Sequence, residues 1–294
     1  MTAATNFSRG TDLRAALPLG WGFHHATYQP GHGLRLNGRP YAGTTRRLAD
    51  MLRPPGGPYF LDVPALHQAV RTGDNPVMYD AYRDILPQRP ACTDAEIGEG
   101  WSADLVIYPA GVLATGEPIR STGHWNGANQ LEIFQTLAGR NLMIVSGWRP
   151  DGSRYLYQHT SGPGDLVVVP FGAWHLTYVL DAPTAVFNIY ADRLRPARGP
   201  SSRAAGKDSQ FKYGRRDPLR IAMRNRDGGL CLEGPDLTPW GRPQPCDGIP
   251  HWLSHNLGPE KSLCELYITR SVGLLEQLMT AADTAWKNQD WPFG

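Results

Sequence analysis

Three side chains near the middle of the chain are of types that together bind a transition metal. His124 and Glu132 lie in the string STGHWNGANQLE, and His175 ends the string GDLVVVPFGAWH. Two imidazoles and one carboxylate form a ligand set for Fe(II), Mn(II), Ni(II) or Zn(II). A single histidine near a strand end is more often a hydrogen-bonded structural residue. The metal hypothesis therefore requires a fold that brings all three residues together.

The segment between Asp104 and Asp192 has the sequence pattern of a strand series. Its β-branched and aromatic runs are LVIYPAGVLA, LEIFQTLAG, NLMIVSGW, YLYQHT, DLVVVPFGAWHLTYVLD and TAVFNIYAD, separated by Gly, Pro, Asp or Asn. Such a series predicts antiparallel strands, and a closed barrel or a double-sheet jelly roll leaves few exposed edges. In such a barrel we expect His124, Glu132 and His175 to point inward together.

The composition excludes several classes of function. Of the 294 residues, 41% are hydrophobic and 19% charged, with 33 Gly and 26 Pro, which favours a strand-rich and loop-rich globular protein over a helical bundle. The 29 basic and 27 acidic residues leave a net charge of +2, so we expect neither nucleic acid nor an anionic membrane as a partner. Without an apolar run of membrane-spanning length or a secretory signal, the sequence predicts a cytoplasmic, soluble protein.

Two groups of motif residues resemble the signatures of the cupin superfamily. The first is Gly123-His124-x-Asn126 followed by Glu132-x6-Gly139, and the second is Gly164-x5-Pro170-x-Gly172-x2-His175. They resemble G(x)5HxH(x)nE(x)6G and G(x)5PxG(x)2H. The strings NPVMYDAYRD, LVIYPAGVLATGEPIRSTGH, LEIFQTLAG, FNIYAD and KYGRRDPLRI occur in the order found in the archaeal-type, metal-dependent glucose-6-phosphate isomerases. The resemblance spans residues 75–240.

The resemblance implies a cupin double-stranded β-helix, usually a homodimer, that holds one divalent metal and interconverts an aldose and a ketose. His124, Glu132 and His175 match metal ligands, and Glu132 is also a candidate proton carrier. By the same resemblance, Tyr190 and Tyr213 match hydroxyls near the substrate. Ser121 and Gly123 match part of a phosphate-binding cradle.

Several positions depart from the family pattern. Asn126 replaces the second motif histidine, and because an amide oxygen is a weaker ligand than imidazole, Asn126, Gln130 or water must complete the coordination. Phe211, Val106 and Phe134 stand where the family has polar groups. An apolar pocket cannot compensate for the lost solvation of a phosphate, so glucose 6-phosphate is not the expected substrate.

Arg215 and Arg216 could restore an anion site by bidentate contact with a phosphate or a carboxylate. The alternative is that the two arginines form a solvated basic turn. The sequence does not distinguish between these interpretations.

Three functions are compatible with these residues. The first is an isomerase or epimerase in which the metal acidifies a C–H bond and Glu132 moves the proton, or Tyr190, Tyr213 or Gln130 assists while Glu132 only holds the metal. The second is an Fe(II)-dependent oxygenase, because two histidines and one carboxylate leave open coordination positions. The third is a binding protein that has lost the metal.

The predicted organisation is one mainly β domain with added ends. A cupin barrel is expected over residues 76–240, with 193–209 as a loop or flap. Residues 1–75 are expected as an irregular decoration that packs on the barrel. Residues 241–294 form an expected extension with a helix over about 271–286, where apolar residues recur at helical spacing.

His251 and His255 have the i, i+4 spacing of two metal ligands on a helix. Pro250, Ser254 and Gly258 argue against a helix at this place. We therefore interpret these two histidines as structural residues.

Overall fold

The computed structural model describes residues 17–20, 23, 26–52, 60–83, 85, 101–193, 219–226, 229–246, 249–257, 262–269 and 272–290. The strands are β1 (Leu17–Pro18), β2 (Ala26–Gln29), β3 (Gly33–Leu36), β4 (Arg39–Tyr41), β5 (Thr44–Arg47), β6 (Val77–Tyr82), β7 (Trp101–Tyr108), β8 (His124–Trp125), β9 (Gln130–Ala138), β10 (Asn141–Trp148), β11 (Arg154–Ser161), β12 (Leu166–Val169), β13 (Trp174–Val179), β14 (Thr184–Asp192), β15 (Ala222–Arg226), β16 (Gly229–Glu233) and β17 (Gln244–Pro245). The helices are α1 (Leu48–Met51), α2 (Val63–Arg71), α3 (Leu237–Trp240), α4 (His251–Leu257), α5 (Leu263–Thr269) and α6 (Val272–Lys287).

The consecutive strands β7 to β14 form a jelly roll. One sheet contains them in the order β12-β9-β14-β7, and the facing sheet in the order β11-β10-β13-β8. Counted from β7 as the first strand, these orders are 6-3-8-1 and 5-4-7-2, which is the arrangement of a double Greek key. All pairings within the two sets are antiparallel. The prediction of a mainly β, cupin-type double-stranded β-helix is confirmed.

The sheet that contains β9 and β14 is buried on both faces. Every residue of β9 is buried, because one face lines the barrel interior and the other is covered. Phe187 of β14 points to the covered face, where its ring contacts Phe23 at 5.4 Å and Tyr267 of α5 at 6.4 Å between centroids. Segments from both ends of the chain therefore pack on this sheet.

The facing sheet is covered on its outer side by the hairpin of β15 and β16. Trp174, Leu176 and Tyr178 of β13 are fully buried in a cluster that includes Ile221 and Met223. Since side chains alternate along a strand, this outward direction of Trp174 leaves its neighbour His175 on the inner face.

The N-terminal segment is more regular than predicted. Strands β1 to β4 form a four-stranded antiparallel sheet instead of an irregular decoration. Asn37 and Gly38, between β3 and β4, have positive φ of 49° and 74°. Asn-Gly is a strong hairpin signal because both residues adopt such a conformation readily. The Asn37-Gly38 dipeptide is therefore the sequence signal for the hairpin of β3 and β4.

Both ends of the chain also contribute strands to the barrel sheets. β5 pairs antiparallel with β6, which in turn pairs with β7. β17 pairs in parallel with β11 through Tyr157 and Gln158. The two barrel sheets thus extend beyond residues 76–240.

The C-terminal part is helical. α6 occupies Val272–Lys287, close to the helix predicted at about 271–286. None of the helices in the described ranges is both long and apolar enough to cross a membrane.

The expectation that no helix forms around His251 is wrong. The backbone N–H groups of Leu253 and Ser254 donate to the carbonyl of Pro250 at 2.9 and 3.1 Å, so the proline precedes the helix α4. Proline is compatible with a helix start because the first N–H groups have no partner within the helix. The exposed rings of His251 and His255 lie 6.1 Å apart.

Candidate metal centre

The barrel interior brings His124, Glu132 and His175 together. His124 of β8 is the register partner of His175 in β13, and their ring centroids are 4.4 Å apart. Nε2 of His175 lies 3.6 Å from Oε2 of Glu132, which β9 contributes from the facing sheet. One potential donor atom from each of the three residues lies within 4.8 Å of the others. The three residues singled out in the sequence therefore converge.

Two motif glycines allow the backbone to approach closely around this centre. Gly123 has a φ of +69°, and a Cβ at this position would lie 2.8 Å from Cζ2 of Trp174. Gly172 has a φ of +66°, and a Cβ there would lie 3.2 Å from Cα of Ala128. Both positions favour glycine for conformation and for space. They place His124 directly after one turn and His175 shortly after the other.

Two amide groups hold the carboxylate of Glu132. Nδ2 of Asn126 donates to Oε2 at 2.9 Å, and Nδ2 of Asn188 donates to Oε1 at 2.6 Å. All three side chains are buried. Because each carboxylate oxygen accepts one amide hydrogen bond, the orientation of Glu132 is fixed before any metal binds.

Burial changes the acid–base properties of the three residues. Desolvation raises the pKa of Glu132 to about 8, although the hydrogen bond from Asn126 opposes this shift. Desolvation and the charge of Arg83 lower the pKa of His124 to about 4. The pKa of His175 is also well below its ordinary value, because of burial and then the neighbouring His124. Both imidazoles are therefore neutral near pH 7, which is the form that binds metals.

Unpaired polar atoms show that these residues fit a metal ion. Nε2 of His124 and Nδ1 of His175 are buried and have no hydrogen-bond partner within the described part of the chain. A buried polar atom without a partner costs free energy. A cation bound to Nε2 of His124 would remove that cost at this atom. The donor set suits a divalent transition metal.

The two candidates for a further ligand have different surroundings. Asn126 uses its amide nitrogen for Glu132, whereas its Oδ1 is buried without a partner among the described residues. Gln130 is 4% exposed and lies on the same face of β9 as Glu132, and its Nε2 also has no partner in these ranges. The roles of Asn126 and Gln130 as further metal ligands remain predictions.

The other residues singled out in the sequence lie at different positions. Tyr190 is buried and is the register partner of Glu132 on the adjacent strand. Oγ of Ser121 accepts a 3.0 Å hydrogen bond from the backbone N–H of Thr177, which links the segment before β8 to β13. Tyr213, Arg215 and Arg216 lie outside the described residues, as does almost all of 193–209.

The wall beside the histidines is partly apolar. The ring of Phe134 lies 5.3 Å from that of His175, between centroids. Val106 is half-buried on β7, next to Val186 of β14. Phe134 is therefore one of the departures from the family pattern that borders the candidate metal centre.

Sequence reasoning missed three polar residues on this inner face. Asn188 holds Glu132, and Asp104, its register partner on β7, accepts a 2.5 Å hydrogen bond from Nη1 of Arg83. The alternation of FNIYAD indicates that Asn188 shares a face with Tyr190. No sequence signal connects Arg83 with Asp104, because their pairing depends on the alignment of β6 with β7.

Comparisons with solved structures give weak similarities over less than half of the chain. The chain is similar to DMSP lyase DddQ from Ruegeria pomeroyi DSS-3, with 24% identity over 34% of this chain and 42% of that one, at a TM-score of 0.24. It is also similar to KdgF from Halomonas sp., with 16% identity over 39% and 79% of the two chains and a TM-score of 0.25. An oxalate oxidase matches with 14% identity over 46% and 72%, at a TM-score of 0.29. No protein-family model and no curated protein matches the chain. The assignment of the fold therefore rests on the strand order.

Proposed function

We propose that the protein is a metal-dependent enzyme of the cupin type that isomerises or epimerises a small hydroxy-carbonyl compound. The observation that carries the proposal is the convergence of donor atoms from His124, Glu132 and His175 within 4.8 Å inside a jelly roll. The order of the flanking sequence strings, which resembles that of the cupin glucose-6-phosphate isomerases, supports the reaction class. By the same resemblance we propose a homodimer.

The chain supplies both the ligands and the proton carrier of this reaction. A divalent metal held by His124, Glu132 and His175 would polarise a carbonyl and the adjacent hydroxyl of the substrate. Glu132 moves the proton between the neighbouring carbons through an enediol, while Asn126 and Asn188 keep its carboxylate oriented. Because a carboxylate bound to metal is a weak base, the hydroxyl of Tyr190 is the alternative proton carrier, since it lies on the adjacent strand in register with Glu132. Tyr213 and Gln130 remain further candidates.

The apolar wall supports a substrate other than glucose 6-phosphate. Phe134 borders His175 and offers no hydrogen bond to a sugar hydroxyl or a phosphate. A polar group placed against this ring would lose its solvation without compensation. We propose a smaller or less polar substrate of the hydroxy-carbonyl class.

Elemental analysis and proton exchange test the proposal. The protein purified without added metal is compared with His175→Ala and, as a matched control, with the exposed His255→Ala. We expect close to one divalent metal per chain in the parent and in His255→Ala, and much less in His175→Ala. A panel of hydroxy-carbonyl compounds in deuterated water should then reveal metal-dependent exchange of a C–H proton by NMR, abolished in Glu132→Gln. Absence of metal from the parent protein would favour a metal-free binding protein instead.

An Fe(II)-dependent oxygenase is the second candidate. Donor atoms of two histidines and one carboxylate lie within 4.8 Å of one another, and this ligand set is that of the facial arrangement that activates oxygen. Phe134 also suits a less polar substrate. Substrate-dependent oxygen consumption by the Fe(II)-loaded protein, absent with Zn(II), would favour this candidate over the isomerase.

A further inference from the structure

A charged pair lies beside the candidate metal centre and has no part in the proposed proton transfer. Arg83 directly follows β6, and its Nη1 donates to Oδ2 of Asp104 at 2.5 Å. The side chain of Asp104 is 1% exposed, whereas that of Arg83 is 44% exposed. The pair thus connects the buried inner face of the barrel with a region that a small molecule can reach.

Asn188 connects this pair with the carboxylate of Glu132, which lies two residues further along the sheet on the same face. Asp104 on β7 is the partner of Asn188 on β14, and Asn188 donates to Glu132 on β9. Neighbouring strands are about 4.8 Å apart and each residue advances about 3.3 Å along a strand, so the backbones of Asp104 and Glu132 lie roughly 12 Å apart. Arg83 extends over the same inner face, and its charge lowers the pKa of both Glu132 and His124.

The chemistry of Arg83 allows it to bind a second anion. A guanidinium has five N–H donors in a planar fork, and the hydrogen bond to Asp104 uses Nη1. Asp104 balances the charge of Arg83, and Glu132 balances half the charge of a divalent metal. The two pairs together leave a single positive charge, which suits a monoanion better than a phosphate dianion.

We propose, on the basis of the proposed function, that Arg83 binds a carboxylate of the substrate. The substrate class is then a small hydroxy or oxo acid, with its reacting carbon at the centre formed by His124, Glu132 and His175. Asp104 is a positioning residue that holds the guanidinium toward this centre. The proposal names an anion site that is separate from Arg215 and Arg216.

Calorimetry with two matched probes tests the proposal. Lactate and propane-1,2-diol share their carbon skeleton and one hydroxyl, but only lactate carries a carboxylate. We expect the Co(II)-loaded protein to bind lactate at least tenfold more tightly than the diol and more tightly than inorganic phosphate. The visible spectrum of bound Co(II) reports the state of the metal centre independently.

The variants separate the anion site from the metal centre and from folding. Arg83→Met alone would leave Asp104 buried without its partner, so it is combined with Asp104→Asn. We expect this double variant to keep its far-ultraviolet circular dichroism and its Co(II) content but to lose roughly tenfold to a hundredfold in lactate affinity. Arg83→Lys should lose part of the affinity for lactate, because an ammonium group cannot form the two parallel hydrogen bonds that a guanidinium forms with a carboxylate. Arg140→Met is the control, since it removes the exposed 2.6 Å pair with Asp181 and should bind lactate normally.

The proposal is overturned if the folded double variant binds lactate as tightly as the parent, or if the diol or phosphate binds better than lactate. Failure to take up Co(II) would instead contradict the proposed function. In that case, lactate is tested as a thermal stabiliser of the metal-free protein. A shift that depends on Arg83 supports the anion site, and no shift overturns it.

Discussion

Asn126 donates a 2.9 Å hydrogen bond to Oε2 of Glu132, the same oxygen that lies 3.6 Å from Nε2 of His175. The residue that replaces the second motif histidine thus orients the carboxylate of another candidate ligand. Asn188 secures the other oxygen. At the position where the cupin motif that the sequence resembles has a histidine, this chain therefore has an amide donor that fixes Glu132.

Removal of this donor should weaken metal binding. For Asn126→Ala we expect a loss of roughly 10-fold to 100-fold in affinity for Zn(II), the usual effect of removing a residue that orients a ligand. Competition with a chromophoric chelator measures it. Asn225→Ala, on an exposed part of β15, should bind Zn(II) like the parent. An unchanged affinity in Asn126→Ala would show that Glu132 needs no such support.

Metal binding should stabilise the folded protein. At a free metal concentration of 100 times the dissociation constant, the free energy of unfolding should rise by about 2.7 kcal/mol. Chemical denaturation measures this free energy. We expect it to rise with added metal in the parent and in His255→Ala, but not in His124→Ala. Equal stabilisation of all three proteins would place the bound metal elsewhere.

The turn before His124 should tolerate no side chain at Gly123. Gly123→Ala combines the strain of a φ of +69° with a contact of 2.8 Å to the ring of Trp174, so we expect a destabilisation of about 2–5 kcal/mol. Gly152→Ala is the control, because its φ is +84° but nothing lies within 4 Å of the added Cβ, and it should cost about 1–2 kcal/mol. Urea denaturation measures both values. Equal losses would mean that Trp174 moves aside freely.

The fully buried pair of Arg120 and Glu117 should be important for stability. Nη1 of Arg120 donates to Oε1 of Glu117 at 2.8 Å, and the hydroxyl of Tyr178 donates to the same oxygen at 2.8 Å. Glu117→Gln would leave the guanidinium buried without its counterion, and we expect a loss of about 3–5 kcal/mol. Arg140→Met, which removes an exposed pair, should lose less than about 1 kcal/mol. Similar losses in the two variants would contradict the argument.

Buried tyrosines should make the protein sensitive to alkaline pH. Burial raises the pKa of Tyr82 to about 12, from an ordinary value of 10.0. Between these two pKa values the folded state retains a proton that the unfolded state releases. The contribution of Tyr82 to the free energy of unfolding is therefore fully present below pH 10 and is lost as the pH rises toward 12. In Tyr82→Phe the decrease in unfolding free energy between pH 10 and 12 should be shallower by about 1.4 kcal/mol per pH unit. Urea denaturation at several pH values in this range checks the slope, and an unchanged slope would contradict the assignment.

The sequence was sufficient to predict the jelly roll and the three converging residues, because the strand pattern and the two cupin-like motifs can be recognised locally. Alternation sets which side chains face inward, and the turn glycines mark where the strands that contain His124 and His175 begin. It was not sufficient for Arg83 and Asp104 or for the hydrogen bond from Asn188 to Glu132. These contacts depend on the register between strands that are distant in sequence, and a shift by one residue would place each side chain on the opposite face.

The ends of the chain were predicted less well for a related reason. The Asn37–Gly38 turn is a local hairpin signal, whereas the pairing of β5 with β6 and of β17 with β11 is set by tertiary packing. Pro250, which disfavours a helix interior, was counted against a helix that it directly precedes. The position of a proline relative to the helix determines its effect, since proline is compatible with the place just before the first turn.

The interleaved strand order has a consequence for synthesis on the ribosome. β7, the first strand of the jelly roll, pairs with β14, the last one, and β11 receives its outer neighbour only when β17 has been made. A nascent chain that ends before residue 184 therefore exposes the edge of β7 that β14 later covers. Such pairings of high sequence separation form slowly, so these incomplete chains depend most on chaperones for protection from aggregation.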